Sequence, residues 1–363
     1  MKVRDLLSAI EAAAPFGLAE EWDNCGLLVG DPGAEVERVA VCLDVWPATV
    51  EEAAREGCNV LVSHHPLVFR PLRRVRRGDY VSDTLSALVA HGMNYIAAHT
   101  NADFALASAA LAEACGARML SVLKPVEGAS LFKLSVFVPE GHREAVLEAA
   151  FGAGAGRIGA YSHCSFYAPG TGTFKGGEGT NPFIGEAGKL ERTAEERVEV
   201  VVPANLLDGV LRAALKAHPY EEPAYDVYPL HNRDPRYGFG VAAELPRAVE
   251  RRRFVEAVKE ALGVSVVRAA GPLDGPKVRR VGFAAGSAFD CYNAALAAGC
   301  QVFVTGEAGY HDLFHPAHKG FLTLVVGHGP SEMPVARRLH SILNEAAGGD
   351  ALFIETPFPF TEI

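Results

Sequence analysis

The sequence lacks the features of a secreted, disulfide-rich or membrane-spanning protein. Its seven cysteines are odd in number, and no two of them have the CxxC spacing. We therefore expect reduced thiols in a cytoplasmic protein, not a disulfide framework or a thiolate zinc site. No apolar run approaches the roughly 20 residues that cross a bilayer. Residues 1–14 have the pattern of an amphipathic helix instead of a signal peptide.

An excess of positive charge is also missing, since the formal net charge is −10. Nucleic acid is not an expected partner, because sequence-independent binding needs a basic face. The local exception is the segment 70–77, which contains five arginines. This segment is either a solvated loop or a clamp in which Arg70 and Arg73 contact a substrate phosphate, and the sequence leaves both interpretations open.

The outer thirds of the chain alternate strand and helix patterns. Short apolar runs predict strands, and the amphipathic segments between them predict helices. The predicted strands are residues 39–45, 60–63 and 95–98 in the first third and residues 278–285, 302–305 and 322–326 in the last third. This alternation indicates βαβ units and an α/β fold with mostly parallel sheets.

The two outer thirds also resemble one another. Residues 57–63 match residues 299–305 class by class. In each third the following strand ends at a histidine, His99 or His328, and an acid stands four residues later. We interpret this similarity as two related α/β halves that face each other.

The middle third differs in character and has the order βαββαβ, which is typical of the split ferredoxin-like fold. The predicted elements are strands at 132–138, 160–167, 198–202 and 224–229, helices at 142–152 and 206–217, and a Gly-rich loop at 169–189. The chain is therefore predicted to contain a first core half at 1–128, an α+β insert at 129–245 and a second core half at 246–363.

Histidines and acids stand at the ends of the predicted core strands. His64 and His65 follow the apolar run 60–63, and Pro66 prevents the strand from continuing. Ligands of open α/β sheets gather outside the carboxyl ends of the strands. The residues that share this position are His64, His65, His99, Asp103, Glu307, His311, His328 and Glu332.

Imidazoles and carboxylates without thiolates suit Zn²⁺, Fe²⁺ or Mn²⁺. Carboxylates can bridge two cations. Two acids and three histidines are too few to saturate both cations, so water completes the coordination as in two-metal hydrolases. Water bound in this way is acidified and supplies a nucleophile. The sequence therefore predicts two divalent metal ions per chain and a hydrolytic reaction.

Four motifs in this order resemble the Nif-three-like family: residues 21–27 (EWDNCGL), 63–66 (SHHP), 99–103 (HTNAD) and 327–332 (GHGPSE). Members of that family are dinuclear metal proteins, usually described as GTP cyclohydrolase I type 2 homologues. The resemblance covers essentially the whole chain. The metal ligands that it implies are His64, His65, Asp103, His328 and Glu332.

The resemblance also places His99, Glu307 and His311 beside the metals, where we expect supporting or proton-transfer roles. For His99 the alternative is a strand-end histidine bonded to the backbone. The chain departs from the family pattern at Glu307, where Asp is usual, at residues 285–288, which replace a run of small glycines, and at Gly329, where an aromatic residue is common. These departures bear on the substrate pocket and not on the metal site.

The middle third is similar to the insert of the longer bacterial members, which resembles the trimeric PII and CutA folds. The stretches that carry this similarity are residues 154–159, 170–174 and 217–225. His218, in the last of them, is expected to hold its loop and not to bind a metal.

Two functions of different classes follow. The first is a metal-dependent hydrolase acting on a nucleotide. Metal-bound hydroxide would attack the imidazole ring carbon of guanine in a GTP cyclohydrolase, or phosphorus in a phosphoesterase. The alternative is a non-catalytic metal-dependent regulator or oligomeric scaffold. In either case the family resemblance implies a homo-oligomer, a toroidal hexamer, and no membrane partner is expected.

Overall fold

The structure is a computed structural model that describes residues 1–126, 129–356 and 358. The chain divides into two units, a core unit (Met1–Gly128 with Arg236–Ile363) and an insert unit (Ala129–Pro235). We predict an insert that ends at residue 245, whereas the insert unit ends at Pro235. The reason for the difference is that Gly238–Val249 forms a strand within a sheet of the core unit.

The core unit is built from short helices and short strands. Its helices are α1 (Val3–Ala13), α2 (Pro47–Arg55), α3 (Tyr80–Ala90), α4 (Thr100–Ala102), α5 (Ser108–Ala114), α8 (Arg251–Leu262), α9 (Tyr292–Ala297), α10 (Phe314–His318) and α11 (His328–Ala346). Its strands are β1 (Gly26–Val29), β2 (Val39–Cys42), β3 (Val60–Ser63), β4 (Asn94–Ala97), β5 (Arg118–Pro125), β10 (Gly238–Val249), β11 (Arg268–Ala270), β12 (Val278–Ala284), β13 (Val302–Thr305), β14 (Leu322–Val325) and β15 (Ala351–Phe353).

The core-unit strands form two mixed sheets. The first has the order β1-β4-β3-β2-β15, in which all strands except β1 are parallel. The second has the order β11-β14-β13-β12-β10-β5, in which β12, β13 and β14 are parallel and the others are antiparallel to their neighbours. The predicted α/β class with largely parallel central strands is confirmed.

The central strands are buried on both faces. Every residue of β2, β3, β4, β13 and β14 is buried, as expected for parallel strands covered by helices. One cluster of buried apolar side chains joins both sheets, with Val62 and Val304 from strands and Leu6 and Leu339 from helices α1 and α11. The carboxyl ends of strands from both sheets are therefore held by a single packed core.

The insert unit contains strands β6 (Ser130–Pro139), β7 (Ser165–Lys175), β8 (Leu190–Pro203) and β9 (Tyr225–Arg233), with helices α6 (Arg143–Gly152) and α7 (Leu207–Ala217). Its sheet is antiparallel and has the order β7-β8-β6-β9. Side chains of α6 and α7 such as Val146 and Val210 pack with Val136 and Val200 of the sheet.

Strand β7 differs from its prediction, which ended at residue 167 and continued as a loop. Its pairing with β8 runs on through Pro169, Gly170 and Gly172 to Lys175. Proline and glycine have a low propensity for strands. They are tolerated here because β7 lies at the edge of its sheet.

Within the described ranges, the helices are too short or too polar to cross a membrane. All seven cysteines are free thiols, which agrees with the expectation from their spacing.

Candidate metal centre

The adjacent histidines His64 and His65 stand where strand β3 ends. The backbone N–H of His64 donates to the Cys42 carbonyl at 3.2 Å, and that of His65 donates to the Leu43 carbonyl at 3.0 Å. The Ser63 hydroxyl donates to the carbonyl of His65 at 2.6 Å. These bonds fix the backbone of both histidines, so their imidazoles are positioned by the sheet and not by a mobile loop.

His65 meets two residues of helix α11 from the second half of the chain. The Glu332 Oε2 atom accepts from His65 Nε2 at 2.9 Å and from His328 Nε2 at 3.0 Å. Helix α11 begins at His328, so Pro330 lies in its first turn, where proline is tolerated. This start places His328 and Glu332 one turn apart on one helix face.

Three of these side chains could hold a metal ion. His64, His65 and Glu332 each offer one ligand atom, and these atoms lie within 4.8 Å of one another. The ring centroids of His65 and His328 are 5.4 Å apart, so His328 borders the same space. All four are among the predicted ligands.

His64 provides an observation that fits a bound metal. Its ring is fully buried, and Nδ1 donates to the carbonyl of Ala98 at 2.8 Å. This bond leaves the lone pair on Nε2, which has no hydrogen-bond partner among the described residues and lies 3.4 Å from Asp103 Oδ1. A buried nitrogen without a partner is costly. A neutral imidazole fixed by a carbonyl at its other nitrogen is the usual state of a metal-ligating histidine.

Two aspartates that the sequence analysis missed hold histidines of the centre. Asp44 Oδ1 accepts from His65 Nδ1 at 2.8 Å, and Asp23 Oδ1 accepts from His99 Nδ1 at 2.9 Å. Their signals were available, since Asp44 follows strand β2 and Asp23 lies inside the motif at 21–27. His99 therefore bonds a carboxylate, so the backbone-bonded alternative is wrong.

His99 also belongs to the same cluster of rings. Its ring centroid is 5.5 Å from that of His64 and 5.6 Å from that of His65. The second carboxylate oxygen of Asp23 accepts from the backbone N–H of Thr100 at 3.0 Å and from the Cys25 thiol at 3.0 Å. Asp23 thus has several donors that keep the His99 ring in one orientation.

The electrostatics of the centre favour positive charge. Burial acts to lower the pKa of His65, but hydrogen bonds to Asp44 and Glu332 outweigh it and raise this pKa to about 10. The hydrogen bond to Glu332 likewise raises the pKa of His328, against the effect of burial. Burial alone would raise the pKa of Glu332, yet hydrogen bonds from His328 and His65 bring it well below its usual range. The buried carboxylate is therefore ionised and available to a cation.

Gly286 makes room for this carboxylate. Its φ is +64°, and a Cβ atom at this position would lie 2.1 Å from Glu332 Oε1. Its backbone N–H donates to the Ser331 hydroxyl at 2.9 Å. The segment 285–288 departs from the glycine-rich family pattern, but it keeps a glycine where the centre requires one.

The remaining predicted residues lie at different distances from the centre. Glu307 is half exposed, and its Oε1 is 3.3 Å from His328 Nδ1. His311 is exposed, and the rings that it contacts are those of Tyr310 and Phe314, so the structure does not bring it to the metal ligands. Its prediction relied on chain position after strand β13 and on the family resemblance.

The arginine segment 70–77 is exposed throughout. Arg70 and Arg73 are thus accessible to a ligand, and their phosphate-binding role stays a prediction.

The family often has an aromatic residue at the position of Gly329. In this chain a Cβ atom at Gly329 would lie 2.3 Å from Phe358 Cε1. The Phe358 ring therefore occupies the space beside this glycine.

Two exposed aromatic side chains, neither of them among the predicted site residues, border the centre. Trp22 is 59% exposed and Phe69 is 45% exposed. Their ring centroids are 5.6 Å apart, and they lie 6.5 and 6.2 Å from that of His99. Large exposed rings beside a polar site are typical of surfaces that bind a planar ligand.

We predict that Asp44→Asn lowers the affinity of the chain for Zn²⁺ by about 10- to 100-fold, because the carboxylate orients His65 and increases its basicity. A competition titration against a chromophoric chelator measures this change. The matched control is Glu51→Gln, which alters an exposed carboxylate–histidine pair with His91. Equal affinities in the two variants would show that Asp44 does not support the centre.

Comparison with known proteins agrees with the motifs. The family model Duf34/NIF3 (NGG1p interacting factor 3) matches residues 1–358. A Halalkalibacterium halodurans protein named GTP cyclohydrolase 1 type 2 homolog is 39% identical over 308 residues, which are 84% of this chain and 82% of that protein. A Bacillus subtilis protein of the same name is 33% identical over 366 residues and covers 98% of both chains.

Solved structures resemble the whole chain as well. The crystal structure of a Bacillus cereus protein related to NIF3 has a TM-score of 0.86 and 35% identity, with 100% of this chain and 99% of that chain covered.

Proposed function

The chain belongs to the Duf34/NIF3 family, and on this premise we propose that it is a metal-dependent hydrolase that acts on a nucleotide. The proposed centre is dinuclear, with His64, His65, Asp103, His328 and Glu332 as ligands. The observation that carries this proposal is the buried Nε2 of His64, which has no partner among the described residues and faces a carboxylate oxygen at 3.4 Å.

The donor set suits two divalent cations. Three imidazoles and two carboxylates are the ligand types that Zn²⁺, Fe²⁺ and Mn²⁺ share. Asp103 and Glu332 approach the cluster from different elements, a π-helical turn at Asp103–Ala107 and helix α11, and both carboxylates would hold the cations. When bound, such cations act as Lewis acids and lower the pKa of coordinated water.

The chain supplies groups that can move a proton beside this centre. The Asp23 carboxylate holds the proton of His99 on Nδ1, so Nε2 is the atom that can accept or donate. A histidine oriented by a buried carboxylate is the usual arrangement of a general base. Burial acts to raise the pKa of Asp23, but hydrogen bonds from His99, Thr100 and Cys25 lower it below its usual range. Asp23 therefore stays ionised.

The surroundings fit a nucleotide substrate. The Trp22 and Phe69 rings could stack on a purine base, and Arg70 and Arg73, which follow Phe69 in the chain, could neutralise phosphate. In a GTP cyclohydrolase reaction, water adds to the imidazole ring carbon of guanine and one C–N bond breaks, which opens the ring, and a second water cleaves the remaining C–N bond and releases formate. In a phosphoesterase reaction, water attacks phosphorus instead.

The test is turnover by purified chain that has been stripped of metal and reloaded separately with Zn²⁺, Fe²⁺ and Mn²⁺. We expect at least one loaded form to convert GTP or another nucleotide, with a rate that follows the metal content and disappears with a chelator. Absence of turnover in all loaded forms across a broad nucleotide panel would refute the hydrolase and favour the non-catalytic regulator or scaffold.

We predict that Trp22→Ala raises the KM for the nucleotide by about 5- to 150-fold, because base–aromatic stacking contributes about 1–3 kcal/mol. Trp22→Phe keeps a ring and should retain most of the affinity. Metal content should be equal in both variants, since Trp22 is not a proposed ligand. An unchanged KM in Trp22→Ala would remove the stacking role.

We also propose that the core unit contains two related halves. Strand order and direction repeat, since β1-β4-β3-β2 in one sheet corresponds to β11-β14-β13-β12 in the other, each with three parallel strands and one antiparallel strand.

The element order and the sheet order of the insert unit support a ferredoxin-like fold. The toroidal hexamer stays a prediction, which light scattering of the purified chain can check.

A further inference from the structure

We propose that the insert unit contains a binding site for a small organic cation that carries an amine or guanidinium group. The site is a cavity of about 340 Å³ formed by residues of the insert unit alone. This volume lies at the lower end of the range for small-molecule sites. None of the proposed metal ligands borders it, so the inference goes beyond the hydrolase function.

Aromatic rings form one side of the cavity. The centroid of Tyr220 is 6.0 Å from that of Phe174 and 6.2 Å from that of Phe183. All three residues line the cavity, as does Phe137. Aromatic rings around one space attract a cation that lies over a ring face, because of the ring quadrupole.

Carboxylates supply the second part of the recognition. Glu195, Glu221 and Glu222 line the cavity, and Lys175 is the one cationic side chain among its described lining residues. The lining therefore has an excess of negative charge. Ionised carboxylates only accept hydrogen bonds, so a ligand with N–H donors matches them, whereas an anion would be repelled.

The cavity is held in shape by the residues behind it. His218 is buried, and its Nε2 donates to the Phe137 carbonyl at 2.9 Å while its Nδ1 accepts from the Tyr220 backbone N–H at 3.1 Å. The loop-holding role predicted for His218 is thus confirmed. The Tyr220 hydroxyl donates to Glu195 Oε1 at 3.0 Å, so ring and carboxylate are fixed relative to each other.

The backbone of β7 is adapted to the same carboxylate. A Cβ atom at Gly172 would lie 2.0 Å from Glu195 Oε2. The glycine therefore leaves the space in which the Glu195 side chain lies across the strand. Preorganisation of this kind reduces the entropy cost of binding.

The test uses the full chain and isothermal titration calorimetry with agmatine, arginine and spermidine as probes. N-butylurea serves as a neutral comparison for agmatine. We expect saturable 1:1 binding of at least one cation with a Kd in or below the low millimolar range, and no binding of N-butylurea. No saturable heat for any cation up to about 10 mM, or equal binding of the neutral compound, would overturn the proposal.

Variants locate the site. Tyr220→Ala should weaken binding by about 2- to 30-fold, which corresponds to the usual range of a cation–π contact. The double variant Glu221→Gln with Glu222→Gln should also weaken binding, and it changes only exposed side chains, so folding is not at risk. Glu178→Gln, an exposed carboxylate outside the lining, is the matched control. If the double variant binds as tightly as Glu178→Gln, the cation does not occupy this cavity.

Discussion

Replacing Glu332 by glutamine will lower the affinity of the chain for Zn²⁺ by on the order of 100-fold or more. The carboxylate is 3% exposed and accepts hydrogen bonds from both His65 and His328. Loss of an outer support of a metal site already costs about 10- to 100-fold, and Glu332 is itself a proposed ligand. The amide has nearly the same shape but lacks the charge that attracts a cation.

The measurement is a competition titration together with metal analysis of the purified variant. Glu51→Gln is the matched control, because it alters an exposed carboxylate–histidine pair with His91 that contains no proposed ligand or support of the centre. We expect a small change in the control and a large one in Glu332→Gln. If Glu332→Gln retained two ions per chain at wild-type affinity, the proposed ligand set would be wrong.

Gly286→Ala is expected to weaken metal binding without changing any ligand. The new Cβ would lie 2.1 Å from Glu332 Oε1, so the carboxylate would have to move away from the two imidazoles. In the metal-free chain, alanine in the left-handed backbone conformation of residue 286 lowers the free energy of unfolding by a further ~1–2 kcal/mol. We expect both a loss of Zn²⁺ affinity of at least about tenfold and a lower free energy of unfolding.

Gly320→Ala separates these two effects. Gly320 has a φ of +67°, close to the +64° of Gly286, but a Cβ there would meet nothing within 4 Å. This control should lose a similar free energy of unfolding in urea, measured without metal, and should keep its Zn²⁺ affinity. Equal Zn²⁺ affinities in the two variants would indicate that the space beside Glu332 is not needed for the site.

The central strands could be predicted because their burial leaves a direct trace in the sequence. Parallel strands covered on both faces are nearly continuous apolar runs, as in β3 and β13. The predicted end of the insert at residue 245 and the predicted strand at 160–167 differ from the structure, because strand pairing decides both and leaves no such trace in the sequence. β10 owes its place to pairing with β5 and β12, and β7 contains proline and glycines that only an edge position permits.

The predicted ligands His64, His65, His328 and Glu332 could be placed on one rim because chain topology brings strand ends together. The same argument failed for His311, since a residue six positions beyond strand β13 is free to turn outward. The partners Asp44 and Asp23 were not identified, although Asp44 follows strand β2 and Asp23 lies inside the motif at 21–27, because only the distance of each carboxylate to an imidazole reveals its role.

The sequence by itself determined the α/β class, the order of the central strands along the chain and the chemical types of the proposed ligands, because apolar periodicity and the chemistry of imidazole and carboxylate are local properties. Only the tertiary structure decided which carboxylate accepts from which histidine, where the insert unit ends and that Gly286 must lack a side chain. Those properties depend on distances between atoms far apart in the chain, and close packing alone fixes such distances.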